Sequence, residues 1–102
     1  MKWKIPLYKV YVDDEDIREV SKVIKRGMDW AIGPEIEQFE KLLANYIGSE
    51  YCLTFNSGTS AGHAAMLALN VKTRDEIIVP SFTFIATANW ALMANAQPKF
   101  VD

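Results

Sequence analysis

Thr54-Phe55-Asn56-Ser57-Gly58-Thr59-Ser60-Ala61 joins an apolar run to an alanine-rich one, and its reading decides the fold. Tyr51 to Phe55, just before it, is aromatic, partly β-branched, of strand length and without helical spacing. Ser60 to Leu69, just after it, spaces Ala61, Ala64, Ala65, Leu67 and Ala68 as a small-residue helix able to pack closely on a sheet. The order is therefore strand, tight polar turn, helix N-terminus. Free N–H groups and the positive end of the helix dipole make such a terminus a seat for phosphate. Gly58 lets a ligand approach the backbone, and Ser57, Thr59 and Ser60 add hydroxyl donors. The same residues also serve as an ordinary helix cap. The turn alone leaves both readings open, and the rest of the chain must decide.

The chain has 102 residues, 50% of them hydrophobic, with a formal net charge of −2. That is one small domain at most. Lys and Arg are dispersed among acids, so no basic stripe points to nucleic acid or an anionic membrane. A single cysteine excludes an internal disulfide. Cys52, inside an apolar run, reads as a buried structural thiol in a reducing compartment. No apolar run reaches membrane-spanning length, and Met1 to Pro6 lacks the apolar core of a signal peptide, so the expected location is the cytoplasm. The close on Phe100-Val101-Asp102 is strand-like with no capping element after it, which predicts a partial, truncated α/β domain.

In chain order, Ile5 to Val12 with its Pro6 suits an extended arm. Asp13 offers an N-cap with Asp16 at the capping-box distance, and Ile17, Val20 and Ile24 recur helically, predicting a helix from Asp14 to Arg26 ended by Gly27. Trp30 stands in a short irregular loop, as a packing anchor or a ligand wall. Pro34 opens a second amphipathic helix with Ile36, Phe39, Leu42, Leu43, Tyr46 and Ile47 on one face, stopped by Gly48. Glu35, Glu37, Glu40 and Lys41 are assigned to its solvated face.

Beyond the turn and its helix, Ile77-Ile78-Val79 reads as a buried strand stopped by Pro80. Strand, helix and strand in close succession predict a βαβ unit with a parallel sheet, and the fold class is α/β. Ser81-Phe82-Thr83-Phe84-Ile85 then leads into a helix over Ala86 to Met93, and Lys99-Phe100-Val101 forms another strand. Ligands of open parallel sheets bind beyond the carboxyl ends of the strands, so the two hydroxyl-rich turns should line one crevice. Phe82 and Phe84 suit a flat, phosphorylated ligand.

Gly33-Pro34-Glu35 with Phe39-Glu40, then Asn56 to Ala61, then Asp75-Glu76-Ile77-Ile78-Val79-Pro80-Ser81-Phe82-Thr83-Phe84, then Pro98 to Asp102, together resemble the DegT/DnrJ/EryC1/StrS family across essentially the whole chain. Its members are pyridoxal-phosphate-dependent aminotransferases acting mainly on nucleotide-linked keto sugars. The resemblance implies the fold type I, aspartate aminotransferase-like, with a parallel βαβ core and helices on both faces. Residues 1–50 would form an arm and two helices, and 51–102 the start of the cofactor-binding large domain. It further implies pyridoxal 5'-phosphate as cofactor, an amino donor such as glutamate and a homodimer. The family's phosphate cup matches Gly58, Thr59 and Ser60, its ring-stacking aromatic matches Phe84, and Trp30 falls in a loop often placed near the substrate.

Three positions depart from the family pattern. Gly62 stands for a usual leucine, Thr73-Arg74 for a common glycine before Asp75, and Asn95 for a glycine before Ala96. His63 matches a frequent family histidine and, without metal-spaced partners, reads as structural. The chemistry also needs a lysine bonded to the cofactor and a carboxylate on its ring nitrogen. In the family both follow the Asp102 match, and none of the eight lysines here falls in the lysine motif. No catalytic residue is therefore assigned within this chain. A histidine in place of that lysine would mark the related PMP-dependent sugar dehydrases. A non-catalytic α/β domain binding a phosphate or a partner is the alternative from another class. A dinucleotide fold is remote, because the turn lacks G-x-G-x-x-G.

Overall fold

A computed structural model describes residues 4–102. Asp13 opens α1 (Asp14–Arg26), its carboxylate accepting from the N–H groups of Glu15 and Asp16 at 2.9 and 3.2 Å, while Asp16 reaches back to the Asp13 N–H. The capping box thus closes with aspartate in the position usually held by Glu or Gln. Gly27, at φ 78°, ends the helix in the left-handed region, where a side chain would be costly. Pro34 sits in the first turn of α2 (Pro34–Ile47), which Gly48 ends in the same way.

The turn leads into α3 (Gly58–Ala68), then come β1 (Glu76–Pro80), α4 (Ile85–Met93) and β2 (Gln97–Val101). β1 and β2 pair in parallel, with Ile78 opposite Lys99 and Val79 opposite Phe100, and α4 is the crossover between them. The expected βαβ unit is present, one step later than the sequence suggests. Tyr51 to Phe55 is not a strand: it has no ladder partner among the described residues. Its hydrogen bonding goes to a side chain instead, since the Thr54 N–H donates to Glu40 Oε1 at 2.7 Å.

The small-residue helix also finds a different partner. α3 packs on α4, and α4 on both strands; α3 makes no packing contact with the sheet. Val79, Ala86, Ala88, Ala91, Ala94 and Ala96 form the core, where alanines let α4 lie close to the sheet. α1 and α2 pack on no other helix or strand among the described residues, so their apolar stripes stay open, with Val20 59% and Leu42 61% exposed. The radius of gyration is 18.1 Å, against about 13 Å for a compact chain of this length.

Two departures from the family pattern have local explanations. Asn95 ends α4 at φ 60°, a conformation asparagine tolerates better than most residues. Arg74 has φ 99° in the loop closed by Lys72 N–H to Asp75 Oδ2 at 2.7 Å, a backbone that favours glycine.

Two outcomes are expected. Arg74→Gly should stabilise the chain by about 1 kcal/mol by relieving the backbone, read as a higher midpoint in urea; an unchanged or lower midpoint contradicts the strain. Hydrogen bonds from the backbone N–H groups of Asp16 and then Glu15, aided by the Tyr11 hydroxyl, hold the Asp13 carboxyl below the usual carboxylate range. The folded value lies below the unfolded one, so this cap contributes fully above the unfolded value and is lost as pH falls through the folded one. α1 helicity followed by NMR should show that acid step, and Asp13→Ala should abolish it.

Candidate functional site

Ser57 caps α3 with its hydroxyl oxygen, which accepts from the Ser60 N–H at 3.1 Å. The Ser60 hydroxyl donates to Asn56 Oδ1 at 3.0 Å and lies 3.0 Å from Ser57 Oγ. The capping reading of the turn is therefore realised in full. It consumes only part of the donor set. The N–H groups of Gly58 and Thr59, and the Thr59 hydroxyl, make no hydrogen bond among the described residues. A Cβ built at Gly58 would meet nothing within 4 Å, so the approach to these amides is open. Gly58, Thr59 and Ser60 thus share one helical turn, with the first two exposed and donor-rich and the third already engaged.

Trp90, on α4, donates its indole N–H to the Thr59 carbonyl at 2.9 Å. Its ring occupies the place a Cβ at residue 62 would take, so Gly62 is the notch into which Trp90 fits. Glycine in a helix interior costs about 1 kcal/mol against alanine, and here the close approach of the indole requires it. Sequence reasoning assigned Trp90 no role. The available signal was a helix-interior glycine answered by a large aromatic on the following helix.

Phe84 stands at the N-cap of that same α4, 75% exposed. Beside it, Ser81 Oγ donates to Asp102 Oδ1 at 2.6 Å and the Ser81 N–H to the Val101 carbonyl at 2.8 Å, which ties together the carboxyl ends of β1 and β2. Trp30 lies apart, 66% exposed and in a loop organised by Arg26. That guanidinium grips Glu35 through two N–H···O bonds of 2.7 and 3.1 Å and also donates to the carbonyls of Met28 and Asp29. The pairing lowers the Glu35 pKa, chiefly through the hydrogen bonds from Arg26. Gly33 is needed there, since a Cβ would run into Arg26, Glu35 and the Asp29 carbonyl. Ala31, next to Trp30, lines a hollow of about 530 Å³ together with Phe39, Thr54, Phe55 and Asn56. The Trp30 loop and the polar turn therefore border one depression.

The family model of the DegT/DnrJ/EryC1/StrS aminotransferase family matches residues 10–102. The chain belongs to that family. It is 36% identical over 83 residues, 81% of this chain and 23% of the relative, to the UDP-2-acetamido-2-deoxy-3-oxo-D-glucuronate aminotransferase of Pseudomonas aeruginosa. Its fold is similar to that of the aminotransferase from Psychrobacter cryohalolentis, with TM-score 0.81, 31% identity and coverage of 90% of this chain and 24% of the other. It is also similar to the E. coli GDP-4-keto-6-deoxy-D-mannose-3-dehydratase solved with bound hydrated PLP, with TM-score 0.81, 29% identity and coverage of 95% and 26%. The chain spans about a quarter of the length of the curated relatives it matches.

Aminotransferases of this family use pyridoxal phosphate, and the residues present suit its phosphate. Two amides and a hydroxyl stand without partners, the glycine leaves the approach open, and no carboxylate belongs to the turn. They supply no base or nucleophile. Lys22, Lys41 and Lys99 are paired with Glu19, Glu37 and Glu76. His63 is half-buried on α3, and among the described residues no group of three His, Cys, Asp or Glu side chains is arranged to hold a metal ion. Cys52 is half-buried, not buried as expected, because the 51–55 segment has no sheet over it.

Glu40 is the residue that sequence reasoning placed wrongly. It does not lie on the solvated face: its Oε1 accepts from both the N–H and the hydroxyl of Thr54, at 2.7 and 2.9 Å, and so anchors the segment entering the turn. Its position on the stripe of Ile36, Leu43 and Ile47 was the signal, since a charge on an apolar stripe implies a bound partner. Glu40→Ala should strip the half-buried Thr54 donors of their acceptor and cost about 1–3 kcal/mol. Faster amide exchange at Thr54 and Phe55 is the expected readout. Exchange unchanged there contradicts the anchor.

Proposed function

We propose that this chain is the opening part of a pyridoxal-phosphate-dependent aminotransferase that transfers an amino group, from a donor such as glutamate, to a nucleotide-linked keto sugar. The whole enzyme would act as a homodimer in the cytoplasm. The observation that carries this reading is the first turn of α3, where Gly58 and Thr59 keep their amides unpaired beneath open space. Membership of an aminotransferase family makes a phosphorylated cofactor the fitting occupant.

On this reading, the amides of Gly58 and Thr59 and the Thr59 hydroxyl donate to the phosphate, backed by the positive end of the α3 dipole. Ser60 adds its hydroxyl by giving up Asn56 as acceptor. Phe84 offers its exposed face to the cofactor ring, limiting tilt by dispersion and quadrupole contacts. Trp30, in the loop whose Ala31 lines the hollow beside Asn56, would stand on the substrate side. When bound, pyridoxal phosphate supplies the electron sink that amino transfer requires. The lysine and the carboxylate that complete the chemistry would come from the remainder of the enzyme.

Similarity to the 3-dehydratase fold supports a second reading, a sugar dehydrase of the same family. The residue at the cofactor-bonding position of the complete gene product decides between the two. A lysine supports transamination, and a histidine the dehydrase.

Thr59→Val and Phe84→Ala, made in the complete gene product, should each weaken pyridoxal phosphate binding about tenfold, the loss that follows from one charge-assisted hydrogen bond or one stacking contact. Absorbance titration of the cofactor measures this. Unaltered affinity in both variants contradicts the site.

A further inference from the structure

The two groups proposed to meet the cofactor lie on different helices, Thr59 on α3 and Phe84 at the N-cap of α4. One hydrogen bond spans the pair, from the Trp90 indole N–H to the Thr59 carbonyl at 2.9 Å. Trp90 is six residues beyond Phe84, about 9 Å along the same rigid helix. We propose that Trp90, seated in the notch left by Gly62, is a positioning residue for the phosphate seat: it holds the first turn of α3 at a set height and rotation relative to Phe84.

Two physical effects follow from this contact. The first is geometric. A ring that fits the Gly62 notch and is bonded to the Thr59 carbonyl fixes the height and rotation of α3 against α4. The second is electronic. The Thr59 carbonyl and the Ser60 N–H belong to one peptide unit, so a donor on that carbonyl polarises the unit and strengthens the Ser60 N–H in its bond to Ser57 Oγ, which steadies the capped first turn. Both effects act on how the phosphate seat and the ring wall are held together, and so on a ligand that meets both. The inference rests on the pyridoxal phosphate reading above.

The test compares wild type, Trp90→Phe and Gly62→Ala in the complete gene product, by titration with pyridoxal phosphate, with pyridoxal lacking the phosphate, and with inorganic phosphate. Trp90→Phe keeps an aromatic ring and removes the N–H. It is expected to lower the affinity for pyridoxal phosphate about tenfold, while those for pyridoxal and for inorganic phosphate, each of which meets only one of the two helices, stay within twofold. Gly62→Ala is an independent arm that leaves every donor in place. Helix propensity favours it, yet its Cβ falls where the indole sits, and it is expected to reproduce the same selective loss. In a Trp90→Ala background, Gly62→Ala should have no further effect.

A parallel loss for pyridoxal and pyridoxal phosphate, with their ratio kept, indicates a merely structural residue and overturns the proposal. So does unchanged affinity in Gly62→Ala. A wild-type product that takes up neither pyridoxal phosphate nor inorganic phosphate overturns the functional reading and this inference with it, an outcome distinct from either of the others.

Discussion

One indole N–H on one backbone carbonyl, and the missing Cβ that admits it, join the two helices on which the candidate site stands. Without the Trp90–Thr59 bond and the Gly62 notch, the packing of α3 on α4 would lose the contact that sets its register. Everything the turn can do depends on where α3 begins. α4 in turn is held by the parallel pair β1 and β2, and Val79 with the alanines of α4 and of the turn after it makes up most of the buried core among the described residues. The chain of support therefore runs from sheet to α4, from α4 through Trp90 to α3, and from α3 to the amides of Gly58 and Thr59.

The other support comes from α2. Glu40 reaches out of an apolar stripe to bind Thr54 twice, so the segment entering the turn is held by a side chain and not by a β-ladder. Arg26 does comparable service for the Trp30 loop, closing it against Glu35 and two carbonyls. In both places a single charged group organises several backbone atoms, which is a short-range way to order loops that bury little apolar area. The stripes of α1 and α2 stay largely exposed because no other helix or strand among the described residues packs on them.

Much of this was legible in the chain. The capping aspartate at 13, glycines at 27 and 48 and proline at 34 mark helix ends by local chemistry alone, and the observed ends agree. The turn at Asn56–Ala61 was legible as a helix start with spare donors, and its family pattern pointed to phosphate. What could not be read depends on tertiary partners. Tyr51 to Phe55 has strand composition, but a strand exists only with a neighbour to pair with. Gly62 looked like a weakness in a helix until Trp90 was seen to occupy it. Glu40 looked solvated because a solvated face is where charges usually lie, although its stripe position argued otherwise. Arg74 and Asn95 stand at positions whose positive φ no composition reveals.

The central claim is that the free amides of Gly58 and Thr59 receive the phosphate of pyridoxal phosphate. The most direct measurement is the backbone amide NMR shift of those two residues in the complete gene product during titration. Saturable shifts at Gly58 and Thr59 with pyridoxal phosphate, absent with pyridoxal, are the predicted result. Resonances of both that stay fixed while the cofactor binds elsewhere would contradict it.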